Sequence, residues 1–466
     1  MYNHIDLQDT IVALATPSGS GAIGVVRLSG NAAITIVNQV FRSKDLTKVD
    51  SHTIHLGYVR NEDQKIIDQC LISVFHNPHS YTKEDVVEVS CHGSRFIQQQ
   101  LIELFVRLGA RVAREGEFTL RAFLNGQMDL SQAEAVADLI NAESEAAHQM
   151  AMHQMRGGFS DAIAQLREQL IHFASLIELE LDFGEEDVEF ANRQDLKDLV
   201  NEIQKLLKKL LDSFQLGNAI KNGVATVIAG RPNAGKSTLL NALLNEQRAI
   251  VSEIAGTTRD TIEEMLNIKG VHFRIIDTAG IRQATDQIEA IGVEKTLEQV
   301  AKSAILVYLY DMTQLTPTEV LADIETLQKD NLKTLVIANK FDQYQALGNP
   351  AIDPHLAELQ EKHNCITISA KEKLNIDLLQ EALFDLVASG NIHNGDTIVS
   401  NSRHYEALQH AMDSLDAVLH GLSIGITGDF LAMDIRHCLH YLGEITGNIS
   451  SDDLLGSIFS RFCIGK

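Results

Sequence analysis

Eight consecutive residues carry the clearest chemistry in this chain. Gly230-Arg231-Pro232-Asn233-Ala234-Gly235-Lys236-Ser237 has the pattern G-x-x-x-x-G-K-[ST]. Such a loop cradles phosphates. Its glycines let backbone N–H groups turn inward at a helix N-terminus, where the helix dipole already favours an anion. Lys236 is placed to reach the β- and γ-phosphates, and the Ser237 hydroxyl to sit on Mg2+. Val224–Ala229 before the loop reads as a buried strand, and Thr238–Leu244 after it as a helix, the context the pattern requires. The ligand this predicts is a nucleoside triphosphate.

Further pieces follow in order at the ends of apolar runs. Asp277-Thr278-Ala279-Gly280 has the pattern D-x-x-G, with Asp277 placed to hold Mg2+ through water and the Gly280 N–H to meet the γ-phosphate. Asn339-Lys340-Phe341-Asp342 has the pattern N-K-x-D. The Asp342 carboxylate can accept two hydrogen bonds from the N1–H and amino group of guanine, a donor pair that adenine lacks. Ser369-Ala370-Lys371 offers a backbone N–H to the guanine O6. In this company the chain resembles the translation-factor-like GTPases, and the nucleotide is GTP. The residue after D-T-A-G is Ile281, where Ras-type enzymes place a glutamine that orients water. An aliphatic side chain cannot do so, and the charged candidates nearby are Asp286, Glu289, Arg259 and Arg282. The preceding switch loop reads Ser252-Glu253-Ile254-Ala255-Gly256-Thr257-Thr258-Arg259-Asp260, one of whose threonines would close on Mg2+.

The elements that must position these residues show in the patterning. At 466 residues the chain has room for about three domains. Residues 1–124 alternate β-rich runs (Thr10–Leu14, Gly24–Leu28, Thr53–Val59, Ile66–Phe75, Val86–Val89) with helical spacing over Ala32–Phe41 and Ser94–Leu108, an α+β domain. Residues 125–216 carry apolar stripes at three- and four-residue spacing, among them Leu196-Leu199-Ile203-Leu206-Leu210. Residues 217–386 alternate strand and helix, and 387–466 are helical again. The economical inference is one helical domain interrupted by an inserted P-loop α/β domain.

Some signals are decoys. Gly19-Ser20-Gly21-Ala22-Ile23-Gly24 fits the dinucleotide fingerprint G-x-G-x-x-G, but it runs into a strand where the fingerprint needs a helix. The pairs His52/His55, His76/His79 and His437/His440 have metal-ligand spacing without a third ligand nearby in sequence. The acidic cluster Asp182, Glu185, Glu186, Asp187 and Glu189 reads as a solvated turn. Five scattered cysteines suit reduced thiols and a cytoplasmic location. No apolar run approaches the roughly 18 residues of a membrane span, and no signal peptide is evident. A net charge of −24 argues against broad non-specific nucleic-acid binding while leaving room for one local basic site.

Taken together, the motifs resemble the tRNA modification GTPase family called MnmE or TrmE. Outside the nucleotide motifs the resemblance rests on Gly24-Val25-Val26-Arg27-Leu28-Ser29-Gly30, Tyr81-Thr82-Lys83-Glu84-Asp85-Val86, Cys91-His92-Gly93, Arg114-Glu115-Gly116-Glu117-Phe118-Thr119, Arg121-Ala122-Phe123-Leu124-Asn125-Gly126, and the ending Cys463-Ile464-Gly465-Lys466. It implies a folate-binding N-terminal domain that dimerises, a helical domain, and a Ras-like G domain inserted into it. It also implies a flavoprotein partner called MnmG, with FAD, in a heterotetramer. The activity implied is addition of a carboxymethylaminomethyl or aminomethyl group to C5 of the wobble uridine of certain tRNAs. A tetrahydrofolate derivative (5-formyl or 5,10-methylene) would supply the one-carbon unit, and hydrolysis would depend on K+.

Carried over, the resemblance makes Asn233 a K+ ligand with oxygens of Ser252, Ile254 and Thr257. It makes Glu289 the water-orienting acid, and it joins Thr258 to Ser237 on Mg2+. Arg27, Glu84 and Lys466 match folate positions. Gln127 stands where the family usually has a basic residue, so it can hydrogen-bond a folate but gives no charge-assisted contact. Cys463 is either a reactive thiol or an inert packed one. Two rival readings are a regulatory GTPase of ribosome assembly and a folate-dependent methyl- or aminomethyltransferase with an appended GTPase.

Overall fold

The computed structural model of the chain describes residues 9–182, 192–246, 263–276, 300, 303–328, 332–348, 359, 364–387, 397–450, 452–460 and 462–465. It divides into two compact units, one of residues 1–141, 151–200 and 410–466, the other of 142–150 and 201–409.

The first unit is built on a six-stranded sheet. Its strands are β1 (Ile11–Leu14), β2 (Ile23–Ser29), β3 (Thr53–Arg60), β4 (Ile66–Phe75), β5 (Val86–His92) and β6 (Arg111–Val112), in the order β3-β4-β5-β2-β1-β6. All neighbours are antiparallel except β1 and β6. Alternation sorts the side chains. Val26, Leu28, Ile72, Val74, Val87 and Val89 pack in one core with Val37, Leu101 and Phe105 of the helices Ala33–Val40 and Arg95–Arg107. Arg27 and Glu88 point the other way and stand directly opposite each other across the β2–β5 ladder. The G-x-G-x-x-G segment does lead into β2, with no helix after it.

Two helices distant in sequence also meet in this unit. Gly158–Asp182 packs on Gly428–Thr446, and Arg436 Nε donates to Glu178 Oε1 at 3.0 Å. Glu115 pairs with Ile464 in an isolated antiparallel bridge, so the C-terminal segment lies against the residues that follow the sheet.

The second unit holds a doubly wound sheet of β7 (Val224–Ala229), β8 (Glu263–Ile268), β9 (Val271–Ile276), β10 (Ile305–Asp311), β11 (Lys333–Asn339) and β12 (Ile366–Thr367). The order is β12-β11-β10-β7-β9-β8, parallel apart from β8 against β9. Every residue of β10 is buried, as a strand covered on both faces must be. Ile228, Val307 and Ile337 pack on one face with Leu239 and Leu383. Val227, Leu306, Tyr308 and Val336 pack on the other with Val320 and Ile324. The segments before and after this sheet run side by side: the Val399 N–H donates to Ser213 Oγ at 3.0 Å, and a Cβ on Gly217 would lie 2.1 Å from the Val399 carbonyl oxygen.

One stripe differs from expectation. In the helix Arg193–Asn222, as far as Leu210, the buried positions are Leu196, Val200, Ile203, Leu207 and Leu210, while Leu206 is exposed. Steps of four and three keep one face of a 3.6-residue period, and 206 drifts off it.

Candidate functional site

The phosphate-loop pattern lies between β7 and the helix Lys236–Glu246. Its glycines are needed where they stand. Gly230 has φ 151°, and a Cβ there would sit 2.0 Å from the Leu309 carbonyl oxygen of the adjacent strand; Gly235 has φ 99°, and a Cβ would meet Asn339 Nδ2 at 2.4 Å. Asn233 takes a left-handed φ of 61° and is exposed, as is Thr238. The Lys236 ammonium folds back over the loop, donating to the carbonyls of Gly230 (2.6 Å) and Arg231 (3.1 Å). Burial pulls its pKa below the ordinary lysine value. A triphosphate would return to it the opposite charge that burial denies.

The loop is tied to the N-K-x-D strand end. Asn339, buried at the end of β11, donates from Nδ2 to the Ala234 carbonyl at 2.8 Å and accepts the Ala370 N–H on Oδ1 at 3.0 Å. Both polar ends of one amide are thereby used. Lys340 has φ 65° and donates to Asp311 Oδ2 at 2.7 Å. Asp311 terminates β10 and also accepts from the N–H and hydroxyl of Thr313. Burial alone would raise the Asp311 carboxyl, but its hydrogen bonds from Lys340 and Thr313 hold it below the ordinary range. Asp342 Oδ1 accepts the Ser369 hydroxyl at 2.7 Å, and the Glu372 N–H donates to the same Ser369 Oγ. Lys371 is exposed.

The geometry thus joins Asn233, Ala234, Gly235, Lys236, Ser237, Asn339, Lys340, Asp342, Ser369 and Ala370 at the C-terminal ends of β7, β10 and β11. Ligands of doubly wound sheets bind at that edge. Asp311 is an addition that sequence reading missed; its signal was an acidic residue closing an otherwise apolar strand. Ser252, Glu253, Ile254, Ala255, Gly256, Thr257, Thr258, Arg259, Asp277, Thr278, Ala279, Gly280, Ile281, Arg282, Asp286 and Glu289 lie outside the described residues, as do Lys466 and the acids Glu185, Glu186, Asp187 and Glu189.

A second constellation lies in the sheet of the first unit. The Arg27 guanidinium sits 5.7 Å from the ring centroids of both Tyr81 and Phe118. It is paired with Glu88, from Nε at 2.9 Å and from its terminal nitrogen at 2.8 Å, and it reaches the Gly465 carbonyl at 3.5 Å. Gly465 has φ 101°, and a Cβ there would lie 2.1 Å from the Leu14 carbonyl oxygen, so only glycine lets the C-terminal segment seat on β1. The Tyr81 hydroxyl shares a hydrogen bond with Thr119 at 2.9 Å. A shallow recess of about 410 Å3 opens beside Tyr81, with His52, Phe75, His79 and Gln127 in its lining. Cys463 is exposed, whereas the other four cysteines are buried.

Glu84, expected at this site, is elsewhere. It is buried, accepts the Ser29 hydroxyl at 2.6 Å, and is paired with Arg121 at 3.2 Å. The carboxylate beside Arg27 belongs to Glu88, four residues on. The reason is register: β2 and β5 place residue 27 opposite residue 88, while 84 precedes the strand. Of the histidine pairs, His76 Nε2 is hydrogen-bonded to the Val49 carbonyl at 3.0 Å and His55 Nε2 to Thr53 at 2.9 Å.

Two family models match the chain: the GTP-binding protein TrmE N-terminus over residues 10–127, and the MnmE helical domain over residues 130–463. The tRNA modification GTPase MnmE of Cytophaga hutchinsonii is 54% identical over 98% of this chain and 98% of its own length. That of Christiangramia forsetii is 55% identical over 99% of this chain and all of its own. Among solved structures, the FeoB G-domain from Methanococcus jannaschii aligns with 35% of this chain and 97% of its own, at 24% identity and a TM-score of 0.27.

Proposed function

Because the chain belongs to the MnmE family of tRNA modification GTPases, and is therefore a GTP hydrolase of tRNA modification, we propose what it modifies and how. It acts with an MnmG-type FAD protein and adds a carboxymethylaminomethyl or aminomethyl group to C5 of the wobble uridine. It works as a cytoplasmic homodimer, with a folate-binding N-terminal domain (1–124) and a helical domain (125–216 with 387–466) that carries the inserted G domain (217–386).

The observation that carries this reading is the pairing of Arg27 with Glu88 and the Gly465 carbonyl, with the rings of Tyr81 and Phe118 each 5.7 Å from its guanidinium. Nucleotide hydrolysis has no use for a paired guanidinium and carboxylate beside two aromatic rings. A pteridine does. Its amino-pyrimidinone edge presents two adjacent N–H donors that suit a carboxylate such as Glu88, and its flat ring suits aromatic and guanidinium faces. Gln127, in the lining of the recess beside Tyr81, extends the site toward the rest of a tetrahydrofolate, and Lys466 is a further ligand in this reading. When bound, the folate supplies the one-carbon unit; the residues of this chain bind and orient it.

In the G domain, Asp342 reads guanine and Lys236 steadies the phosphates. Ser237 and Thr258 would hold Mg2+ directly and Asp277 through water, and the ion would offset phosphate charge. Asn233 fits a monovalent cation, because its amide stands exposed at the loop, and K+ there would offset charge that develops in hydrolysis. Glu289 orients water, and Arg259 and Arg282 are the cations available to the switch segments.

Nucleoside analysis of total tRNA from a strain lacking the protein tests the reading. Wobble uridines should lose the C5 substituent, and normal modification with a ribosomal-subunit defect would instead favour the assembly GTPase. GTP hydrolysis should be much faster in K+ than in Na+ at equal ionic strength; equal rates would remove the cation site.

A further inference from the structure

Arg121 is fully buried in the helix Glu117–Leu124, yet it carries a charge. Its guanidinium ties together three separate segments. One terminal nitrogen donates to the Asp9 carbonyl at 2.8 Å and to both Glu84 carboxylate oxygens at 3.2 and 3.3 Å; the other donates to the Asp9 carboxylate and to Glu117 Oε1 at 3.3 Å. Arg111 closes the group, donating to Glu117 at 2.5 and 3.0 Å and to Asp9 at 2.6 Å. Two arginines thus face three carboxylates. A buried ionic group of this kind is poor evidence for stability, since apolar packing can do as well. What it does provide is direction: each hydrogen bond fixes one segment against the others.

The residues so fixed are the immediate neighbours of those around Arg27. Glu117 precedes Phe118, whose ring lies under the Arg27 guanidinium. Arg121 lies two residues from Thr119, which holds the Tyr81 hydroxyl at 2.9 Å. Glu84 accepts from Ser29, two residues along β2 from Arg27. Ser29 in turn shares a 2.6 Å hydrogen bond with Thr82, next to Tyr81. Asn125 Nδ2 donates to the Thr82 carbonyl at 2.7 Å, so the helix end leading to Gln127 is fastened to the same segment. Each of Arg27, Tyr81 and Phe118 is therefore within two residues of a member of the network or of its Ser29–Thr82 extension. With no surface of its own, Arg121 cannot touch a ligand.

We propose that Arg121, with Glu84, is a positioning residue for the Arg27–Glu88 site, holding Phe118 and Thr119 so that Arg27 and Tyr81 present a fixed aromatic and guanidinium wall to a flat heterocycle. The proposal rests on the folate reading of that site, and it gives Glu84 a supporting role in place of ligand contact.

The test is titration of the full-length chain with 5-formyltetrahydrofolate, comparing Arg121→Lys, Glu84→Gln and Glu88→Gln. Arg121→Lys and Glu84→Gln should each weaken binding about tenfold, by analogy with the outer-shell partners of metal-binding side chains, whose loss costs about 10–100-fold. Glu88→Gln should weaken it more, and K+-stimulated GTP hydrolysis should be unchanged in the two supporting variants. A purely structural role would act independently of Thr119. The positioning role instead requires that adding Glu84→Gln to Thr119→Val costs clearly less than the two separate losses combined. Should Arg121→Lys fail to fold, the Glu84→Gln and Thr119→Val cycle carries the test. Binding by Glu84→Gln within about twofold of the unmodified chain, strictly additive losses, or a loss equal to that of Glu88→Gln would each overturn the proposal. Absence of binding to the unmodified chain would instead overturn the folate reading, and this proposal with it.

Discussion

The Asn339 side-chain amide donates to the Ala234 carbonyl at 2.8 Å, so the end of β11 and the phosphate loop form one hydrogen-bonded piece. Its oxygen takes the Ala370 N–H, and this adds the S-A-K segment to the same piece. Three motifs, the first of them more than a hundred residues before the other two, thus converge on a single buried amide.

Asn339→Ala removes both bonds and leaves a buried carbonyl and a buried N–H without their partner. Each such group costs about 1–3 kcal/mol. GTP affinity should fall by about tenfold or more, and the melting temperature of the second unit should drop. Fluorescent-nucleotide titration and calorimetry measure the two effects. Unchanged affinity would show that the loop keeps its shape unaided.

Gly230→Ala should be worse for the fold than for the ligand. Its φ of 151° strains any L-residue, and its Cβ would lie 2.0 Å from backbone, the Leu309 carbonyl oxygen, which cannot rotate away. Overpacking of this kind costs about 1–3 kcal/mol or more. The expected outcome is lowered thermal stability of the chain even with no nucleotide present. A melting curve that overlays the unmodified one would refute it.

Asp342→Asn tests base reading directly. The Ser369 hydroxyl holds one carboxylate oxygen at 2.7 Å, which fixes the rotamer that presents the group to a base. An amide at 342 can offer a donor where guanine needs an acceptor, so GTP should bind about a hundredfold less well, within the range for a lost charge-assisted pair. Xanthosine triphosphate, which carries a carbonyl in place of the amino group, should gain. A variant that loses GTP without gaining the xanthine nucleotide would assign Asp342 to structure alone.

The legibility of the two sites differed for a physical reason. Gly230 to Ser237 was readable because phosphate binding is done by consecutive backbone groups, and that demand falls on adjacent residues. Glu84 and Glu88 were not separable by sequence, because which of them faces Arg27 depends on the β2–β5 register, a property of two strands distant in the chain. Arg121 stands in the sequence only as the first residue of the run Arg121 to Gly126, and only the convergence of Asp9, Glu84 and Glu117 on it explains its burial. The helical stripe around Leu206 failed by one position because leucines at both 206 and 207 satisfy a rough three-to-four spacing. The mixed architecture of sheet-bearing and helical regions was readable, since it rests on local periodicity.

The same ionic group makes a prediction about acid. Burial by itself would raise the Glu117 carboxyl, but its hydrogen bonds from Arg111 and the Arg114 N–H, with the charges of Arg111 and Arg121, hold it below the ordinary glutamate value; Asp9 is likewise lowered, against burial, by Arg111 and Arg121. A carboxyl lowered in the folded state binds its proton less readily there than in the unfolded chain. Its stabilising contribution is therefore fully present above the unfolded value, about 4, and is lost as pH falls through the lowered folded value. Glu117→Gln should accordingly cost about 3 kcal/mol at neutral pH, as breaking a buried pair does. The difference between the variant and the unmodified chain should hold from pH 7 to 5 and shrink steadily below about pH 4. Calorimetric melting at a series of pH values measures it. A difference that stayed constant down to pH 3, or that grew on acidification, would mean that Glu117 is not held as a carboxylate by the two arginines.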